Sequence, residues 1–338
     1  MDQEAELGMI EIELPDPVPD WPLFTHPTPQ RKWREVENPL VFMATGSGRI
    51  LSAFFGSTRT NSSGRAVFHE GVDIAPLQWD RRGRALDEIF AVADGTVGYI
   101  NRIAGNSSYG IYVVVDHPDE LGAVYTLYSH LASVPSDLKT GQSVERGQVI
   151  GQMGHTSTLG IPPQRSHLHL ETGLMVNPAF SRWYREQKMT PNHGNYHGFN
   201  LTGFDPMILL RKLAGVEEMP FSFKSALEEI PAAWQLILRS RNRPNFFGRY
   251  PPLWKEDTYT SPAMVLDLSE NGIILQGRNA TDAELEELDS ARNKVLSVDT
   301  TALGRNGAGL IERNRSTWRL TRRGEQWLEI LMYDAGSN

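Results

Sequence analysis

The stretch Arg165-Ser166-His167-Leu168-His169-Leu170-Glu171 sets two histidines one residue apart between aliphatic neighbours. On a β-strand, side chains at i and i+2 leave the same face, so both imidazoles stand together, with the Glu171 carboxylate on the face of His169. On a helix they would diverge. Two imidazoles on one strand face are the start of a metal site, a reading that the rest of the chain has to support.

A second histidine stretch lies upstream, Phe68-His69-Glu70-Gly71-Val72-Asp73-Ile74-Ala75. In an extended segment His69 and Asp73 share a face, and with His169 they make two imidazoles and one carboxylate. Three such ligands leave a fourth tetrahedral position for water, the layout of catalytic rather than structural zinc. A metal there would lower the pKa of that water to about 7 and polarise a carbonyl oxygen. His130, at the end of Val124 to Ser129, and His167 add two more imidazoles. Either can take a proton from the water or stabilise the tetrahedral intermediate, and the sequence does not divide these roles. The chain has no cysteine, so any zinc must sit on His, Asp or Glu.

The texture around these motifs is short apolar runs cut by glycines, as in Ala91 to Ile100, Gly110 to Asp116, Ala123 to His130 and Val144 to Gly154. Such runs predict antiparallel β structure. Residues 1–44 carry Pro15, Pro17, Pro19, Pro22, Pro27 and Pro29 and read as an extended arm, with Trp21, Phe24 and Trp33 to pack it against a domain. Pro178 to Asn200 reads as a long loop, and Asp205-Pro206 as the start of a short closing helix. Beyond residue 214 the pattern predicts helices over Phe223 to Arg239 and Ala283 to Lys294, the second with a Thr281/Glu284 capping box. A strand, turn and helix follow over Thr317 to Leu331. The expected organisation is an arm (1–44), a mainly antiparallel β catalytic domain with a substrate groove (45–213) and a small α+β accessory domain (214–338). A length of 338 residues favours more than one domain, and 40% hydrophobic with 22% charged residues is ordinary globular composition.

Four segments, His69-Glu70-Gly71-Val72-Asp73-Ile74-Ala75, Ala91 to Val97, Leu127-Tyr128-Ser129-His130-Leu131 and His167-Leu168-His169-Leu170-Glu171, resemble in order and spacing the lysostaphin-type (LytM-like) zinc endopeptidases of bacterial cell walls. The glycine-spaced Gly141 to Gly154 and the closing Asp205-Pro206 resemble the family too. The resemblance covers roughly Arg49 to Leu213. It implies one Zn2+ on His69, Asp73 and His169, with His130 and His167 as the catalytic pair. It also implies cleavage of peptidoglycan peptides in a groove of an antiparallel β fold, hence a periplasmic or extracellular protein whose export signal has been removed. The alternative is a non-catalytic LytM-like wall-binding protein that activates another hydrolase; such relatives have usually lost ligands, and this chain keeps all of them. Three stretches depart from the family: the long lead-in Gly160 to Ser166, the extra loop Trp79 to Arg84, and the insertion Pro178 to Asn200. They bear on substrate choice and leave the ligand set whole.

A net charge of −8 gives no support to nucleic-acid binding as the main activity, and no run is long enough to span a bilayer. The arginines from Arg313 to Arg323 are read as part of a structural or wall-contacting module. His155, His193 and His197 are read as exposed loop histidines, His26 and His117 as incidental, Tyr109 as a packing aromatic, and Glu171 equally as a partner of His169 or a solvated carboxylate. The sequence does not address oligomeric state.

Overall fold

The structure is a computed structural model that describes residues 23–60, 66–215 and 221–334. Trp21 and Pro15, Pro17, Pro19 and Pro22 of the arm lie outside the described residues. The first half runs through β1 (Thr58–Thr60), β2 (Ala66–Phe68), β3 (Val72–Ile74), β4 (Glu88–Phe90), β5 (Gly95–Asn101), β6 (Ile111–Asp119), β7 (Gly122–Leu131), β8 (Ser143–Val144), β9 (Val149–Gln152) and β10 (Leu168–Met175). Helix α1 (Phe180–Glu186) sits within the long loop, and β11 (Leu201–Phe204) and α2 (Met207–Leu213) close this part. The Asp205 carboxylate accepts the Met207 N–H at 2.9 Å, so the Asp-Pro start works as read from the sequence.

Seven antiparallel strands form the central sheet in the order β11-β10-β7-β6-β5-β8, with β3 also on β10. β3 and β11 share one edge of β10: Leu168 to Leu170 pair with β3, and Thr172 to Met175 with β11. The alternation of the strands sorts two cores. Val113, Val115, Tyr128, Leu168 and Leu170 enter the main core, while Tyr112, Val114, Tyr125 and Leu127 form a separate cluster with Leu201.

The arm ends as part of this sheet. Phe42 bridges Ile74, the Met43 N–H donates to Asp73 O and the Ala75 N–H to Val41 O, each at 2.9 Å. Trp33 and Phe42 are fully buried and anchor it. Between His69 and Asp73 the chain is not one extended segment, as the spacing argument assumed: β2 stops at Phe68 and β3 starts at Val72. Gly71 sits at the break, where a Cβ would lie 2.4 Å from Leu170 O and 2.8 Å from the His169 ring. Only glycine lets the backbone cross β10 this closely.

The second half contains α3 (Phe223–Glu228), β12 (Trp234–Arg239), α4 (Phe246–Arg249), β13 (Ala263–Leu268), β14 (Ile274–Asn279), α5 (Asp282–Leu288), β15 (Asn293–Val298), α6 (Thr300–Leu303), β16 (Ile311–Asn314), β17 (Thr317–Leu320) and α7 (Arg322–Met332). Its main sheet is antiparallel, ordered β14-β13-β12-β15. The helix predicted over Phe223 to Arg239 is instead a short helix and a strand, because Pro231 cannot continue a helix and the apolar run after it pairs on both edges. The Thr281/Glu284 capping box is present, but α5 ends at Leu288, where Asp289 takes a φ of 49°. Both halves share one continuous core, and Asn177 Nδ2 donates to Ile330 O (2.7 Å) and Tyr333 O (2.8 Å) across the junction. Among the described residues no helix is long and apolar enough to cross a membrane.

Candidate metal centre and flanking histidines

The register of the sheet brings the two histidine motifs together. His169 on β10 lies directly opposite Asp73 on β3 and opposite Ser129 on β7. His69 Nε2, Asp73 Oδ1 and His169 Nδ1 converge at 3.1 Å (His69 to Asp73), 3.0 Å (His69 to His169) and 2.9 Å (His169 to Asp73). This buried trio is the group of histidine and carboxylate side chains, among the described residues, that can hold a metal ion.

The outer hydrogen bonds fix which nitrogen faces inward. His69 Nδ1 is 2.9 Å from Phe54 O, which only accepts, and 3.1 Å from Arg59 Nη2, which only donates; the carbonyl is the shorter contact, and with the Nδ1 proton on it Nε2 presents its lone pair. His169 Nε2 is 2.9 Å from a Glu171 oxygen, and its Nδ1 turns to the trio. Two imidazole lone pairs and a carboxylate oxygen therefore face one another with no donor of their own between them, and a cation or a proton must stand there. Zinc bonds of about 2.0–2.1 Å in tetrahedral geometry separate ligands by roughly 3.3 Å, so the trio accommodates such an ion with small relaxation. Without an ion the proton goes to His169: burial pushes its pKa down, but hydrogen bonds to Asp73 and Glu171 and their charges outweigh burial and take it to about 9. Burial raises the Asp73 carboxyl, but His69, His167 and Arg59 overcome it and hold Asp73 well below its ordinary value.

Glu171 is the partner of His169 rather than a solvated carboxylate, and Tyr125 donates to its other oxygen at 3.3 Å. Carboxylates behind ligand imidazoles fix ring orientation and raise basicity. Arg59 on β1 was missed from the sequence: its guanidinium lies 2.5 Å from Asp73 Oδ2. No local spacing marks it; the signal was only that a buried carboxylate needs a compensating cation.

His130 and His167 stand beside the trio, their ring centres 4.7 Å apart, with His130 5.8 Å from the His169 ring. His167 Nε2 is 3.7 Å from Asp73 Oδ1. Strict alternation would turn His130 away from the site, because Ser129 is the residue opposite His169. A register shift against β6 between Ile111 and Val113, together with a His130 φ of 60°, undoes the alternation and turns the ring toward His167. Each of these two rings has Nδ1 tied to a backbone carbonyl, His130 to Thr156 O (2.9 Å) and His167 to Arg165 O (2.7 Å), which leaves both Nε2 atoms as acceptors. Burial lowers the pKa of both, most for His130, so both are neutral near neutral pH.

The remaining histidines lie outside the trio. His26 accepts from Trp33 Nε1 at 2.7 Å, and His117 is held between Asp94 O and Thr126 Oγ1. His155 Nδ1 donates to Ile161 O. His193 is buried at 2% exposure rather than exposed as expected, because the 178–200 insertion folds it onto Tyr99 and Tyr112. Tyr109 comes within 6.1 Å of the His169 ring, centre to centre.

Residues 67–178 match the family model described as peptidase family M23. No curated protein matches the chain. Among solved structures, a zinc-containing peptidase from Vibrio cholerae is 28% identical over 39% of this chain and 36% of its own, with a TM-score of 0.27. This chain thus corresponds to about a third of that peptidase's length. A putative peptidase M23 from Pseudomonas aeruginosa is 26% identical over 39% of this chain and 44% of its own (TM-score 0.24). The catalytic domain of the antimicrobial peptidase lysostaphin from Staphylococcus simulans is 21% identical over 47% of this chain and 89% of its own (TM-score 0.29). Residues 67–178, the stretch that matches peptidase family M23, carry the aspartate and the four site histidines.

Proposed function

We propose that the protein is a zinc-dependent endopeptidase that hydrolyses stem peptides or cross-links of bacterial peptidoglycan. One observation carries this reading: three inward-facing acceptors, on His69, Asp73 and His169, flanked by two neutral imidazoles whose proton-accepting nitrogens are fixed by backbone carbonyls. A Zn2+ on the three ligands supplies Lewis acidity toward water and a peptide carbonyl. The protein's own groups do the rest. His130 and His167 accept the proton of the attacking water and return it to the leaving amine nitrogen, and their protonated forms stabilise charge on the tetrahedral carbon's oxygen. Glu171 orients His169 through its Nε2–H, and Arg59 holds Asp73 ionised and in place.

The match to M23 peptidases supports peptidoglycan as the substrate, and that substrate puts the protein in the periplasm or outside the cell. The division into an arm (1–44), a peptidase domain (45–213) and an accessory domain (214–338) belongs to the same reading, with the second half tied to β10 and β11 through the Met175 N–H on Tyr250 Oη (2.9 Å) and Asn271 Nδ2 on Gly203 O (2.7 Å). A non-catalytic role, activating another hydrolase, has no observation in its favour, since ligands and flanking histidines are complete. The test is metal analysis of the purified chain with a digest of two defined wall peptides, one with a D-alanyl-diaminopimelate link and one with a polyglycine bridge. One equivalent of zinc and cleavage of one peptide, abolished by His169→Ala, is expected. Absence of bound zinc, or cleavage indifferent to that substitution, would overturn the proposal.

A further inference from the structure

Arg165 closes the lead-in to the histidine strand, at the end of the short 3-10 turn Pro163–Arg165. Ser166 clamps that turn: its N–H and its hydroxyl both donate to Pro163 O, at 2.9 and 2.6 Å. The Arg165 carbonyl holds His167 Nδ1, so the backbone of this residue is fixed to the site. Its guanidinium is not fixed in the same way. One nitrogen donates to Ala44 O at 2.9 Å. Nε is buried without a partner, and among the described residues no carboxylate pairs with the side chain. The remaining terminal nitrogen looks onto Gly46, where a Cβ would be 3.5 Å away and where glycine leaves that space open. His167, held by the Arg165 carbonyl, has its Nε2 3.7 Å from Asp73 Oδ1, so the residue stands one side chain away from the metal centre.

A half-buried guanidinium with unused donors is costly, and the group that fits its fork is a carboxylate. Asp73 does not fill this role, being engaged by Arg59 and the two ligand histidines. The surrounding wall has the same sign. Gly83 approaches Gln164, with a virtual Cβ 3.4 Å from its side chain, so the loop that carries Arg81 and Arg82 abuts the lead-in. Arg81 and Arg82 are exposed and have no ion pair among the described residues, on a chain of net charge −8.

We propose that Arg165 is a specificity residue that recognises a carboxylate of the wall peptide within side-chain reach of the scissile bond. The inference rests on the peptidase reading and narrows its substrate to peptides that are anionic beside the cleaved bond. That carboxylate is either the branch acid of an acidic or diamino dicarboxylic residue or a free C-terminus, and the two are separated by testing three peptides: both groups free, the branch acid amidated, and the terminus amidated.

Binding is measured by calorimetry on zinc-loaded His130→Ala protein, which slows turnover, with and without Arg165→Gln. The expected result is that amidating one of the two positions weakens binding roughly ten- to a hundredfold, as for loss of a hydrogen bond to a charged group, and that Arg165→Gln brings this ratio close to one. Arg165→Lys should leave an intermediate ratio, because it keeps the charge and loses the fork. Thermal melts of each variant identify any loss of folding, in which case the Lys variant carries the comparison. Equal binding of all three peptides, or a ratio unchanged in Arg165→Gln and Arg165→Lys, overturns the inference. Selective binding without cleavage by the zinc-loaded wild type would instead remove the hydrolytic reading and leave the carboxylate contact standing.

Discussion

The strand Leu168–Met175 is buried along its whole length, yet its two faces are of different kinds. On one face Leu168 and Leu170, both at 0% exposure, meet the large apolar core with Val72 and Ile74. On the other, His169 and Glu171 meet Asp73, Tyr125 and His69 through hydrogen bonds. Volume governs the first face, where exchange costs what the lost packing was worth. Donor and acceptor matching governs the second, where an isosteric change can destroy the arrangement. Stability and chemistry are thus separated by one residue of sequence.

The sharpest test of this contrast is a pair of substitutions on neighbouring residues. His169→Ala should abolish peptide hydrolysis, by roughly a thousandfold or more, through loss of bound metal. Leu170→Ala should lower unfolding free energy by about 2–5 kcal/mol while metal binding persists in the folded fraction. Denaturant titration and metal analysis of both variants would break the contrast if the two effects exchanged places. Next comes His130→Ala, expected to cost about 10²–10⁴-fold in turnover with metal content unchanged, because it acts on protons rather than as a ligand. Loss of zinc in that variant would move His130 into the ligand set.

Glu171→Gln probes the polar face more gently. It keeps the shape and removes the charge behind His169, and a tenfold to hundredfold loss of metal affinity is expected in competition with a chelator. The smallest effect is on pH. In metal-free protein the folded His169 titrates at about 9, above the unfolded value near 6.5. A raised pKa contributes stability that is complete below about 6.5 and is lost as pH rises through about 9. The melting temperature of chelator-treated protein should therefore fall across that window, and His169→Ala should flatten the decline.

Much of this was legible in the sequence because it depends on alternation. The i, i+2 spacing of His167 and His169 and the short β-branched runs describe the sheet and its ligand-bearing face directly. What was not legible depends on breaks in alternation and on long-range pairing. His130 reaches the site only through a bulge and a left-handed backbone that no local pattern announces. Arg59 pairs with Asp73 across a hairpin, and His193 is buried by a loop that reads as polar. The helix expected over Phe223 to Arg239 failed for a visible reason, Pro231, to which the periodicity gave too little weight.

The two ends of the metal trio also bear on how the chain holds its shape. Asp73 and His169 are 96 residues apart in sequence, in a protein without cysteine. An ion joining them would close a loop of that size much as a disulfide does, and in the chain-entropy account such a closure takes about 4–5 kcal/mol of freedom from the unfolded state. The same three side chains would then serve as the staple that the composition otherwise lacks, and sequestering the ion would loosen the sheet as well as silence the site.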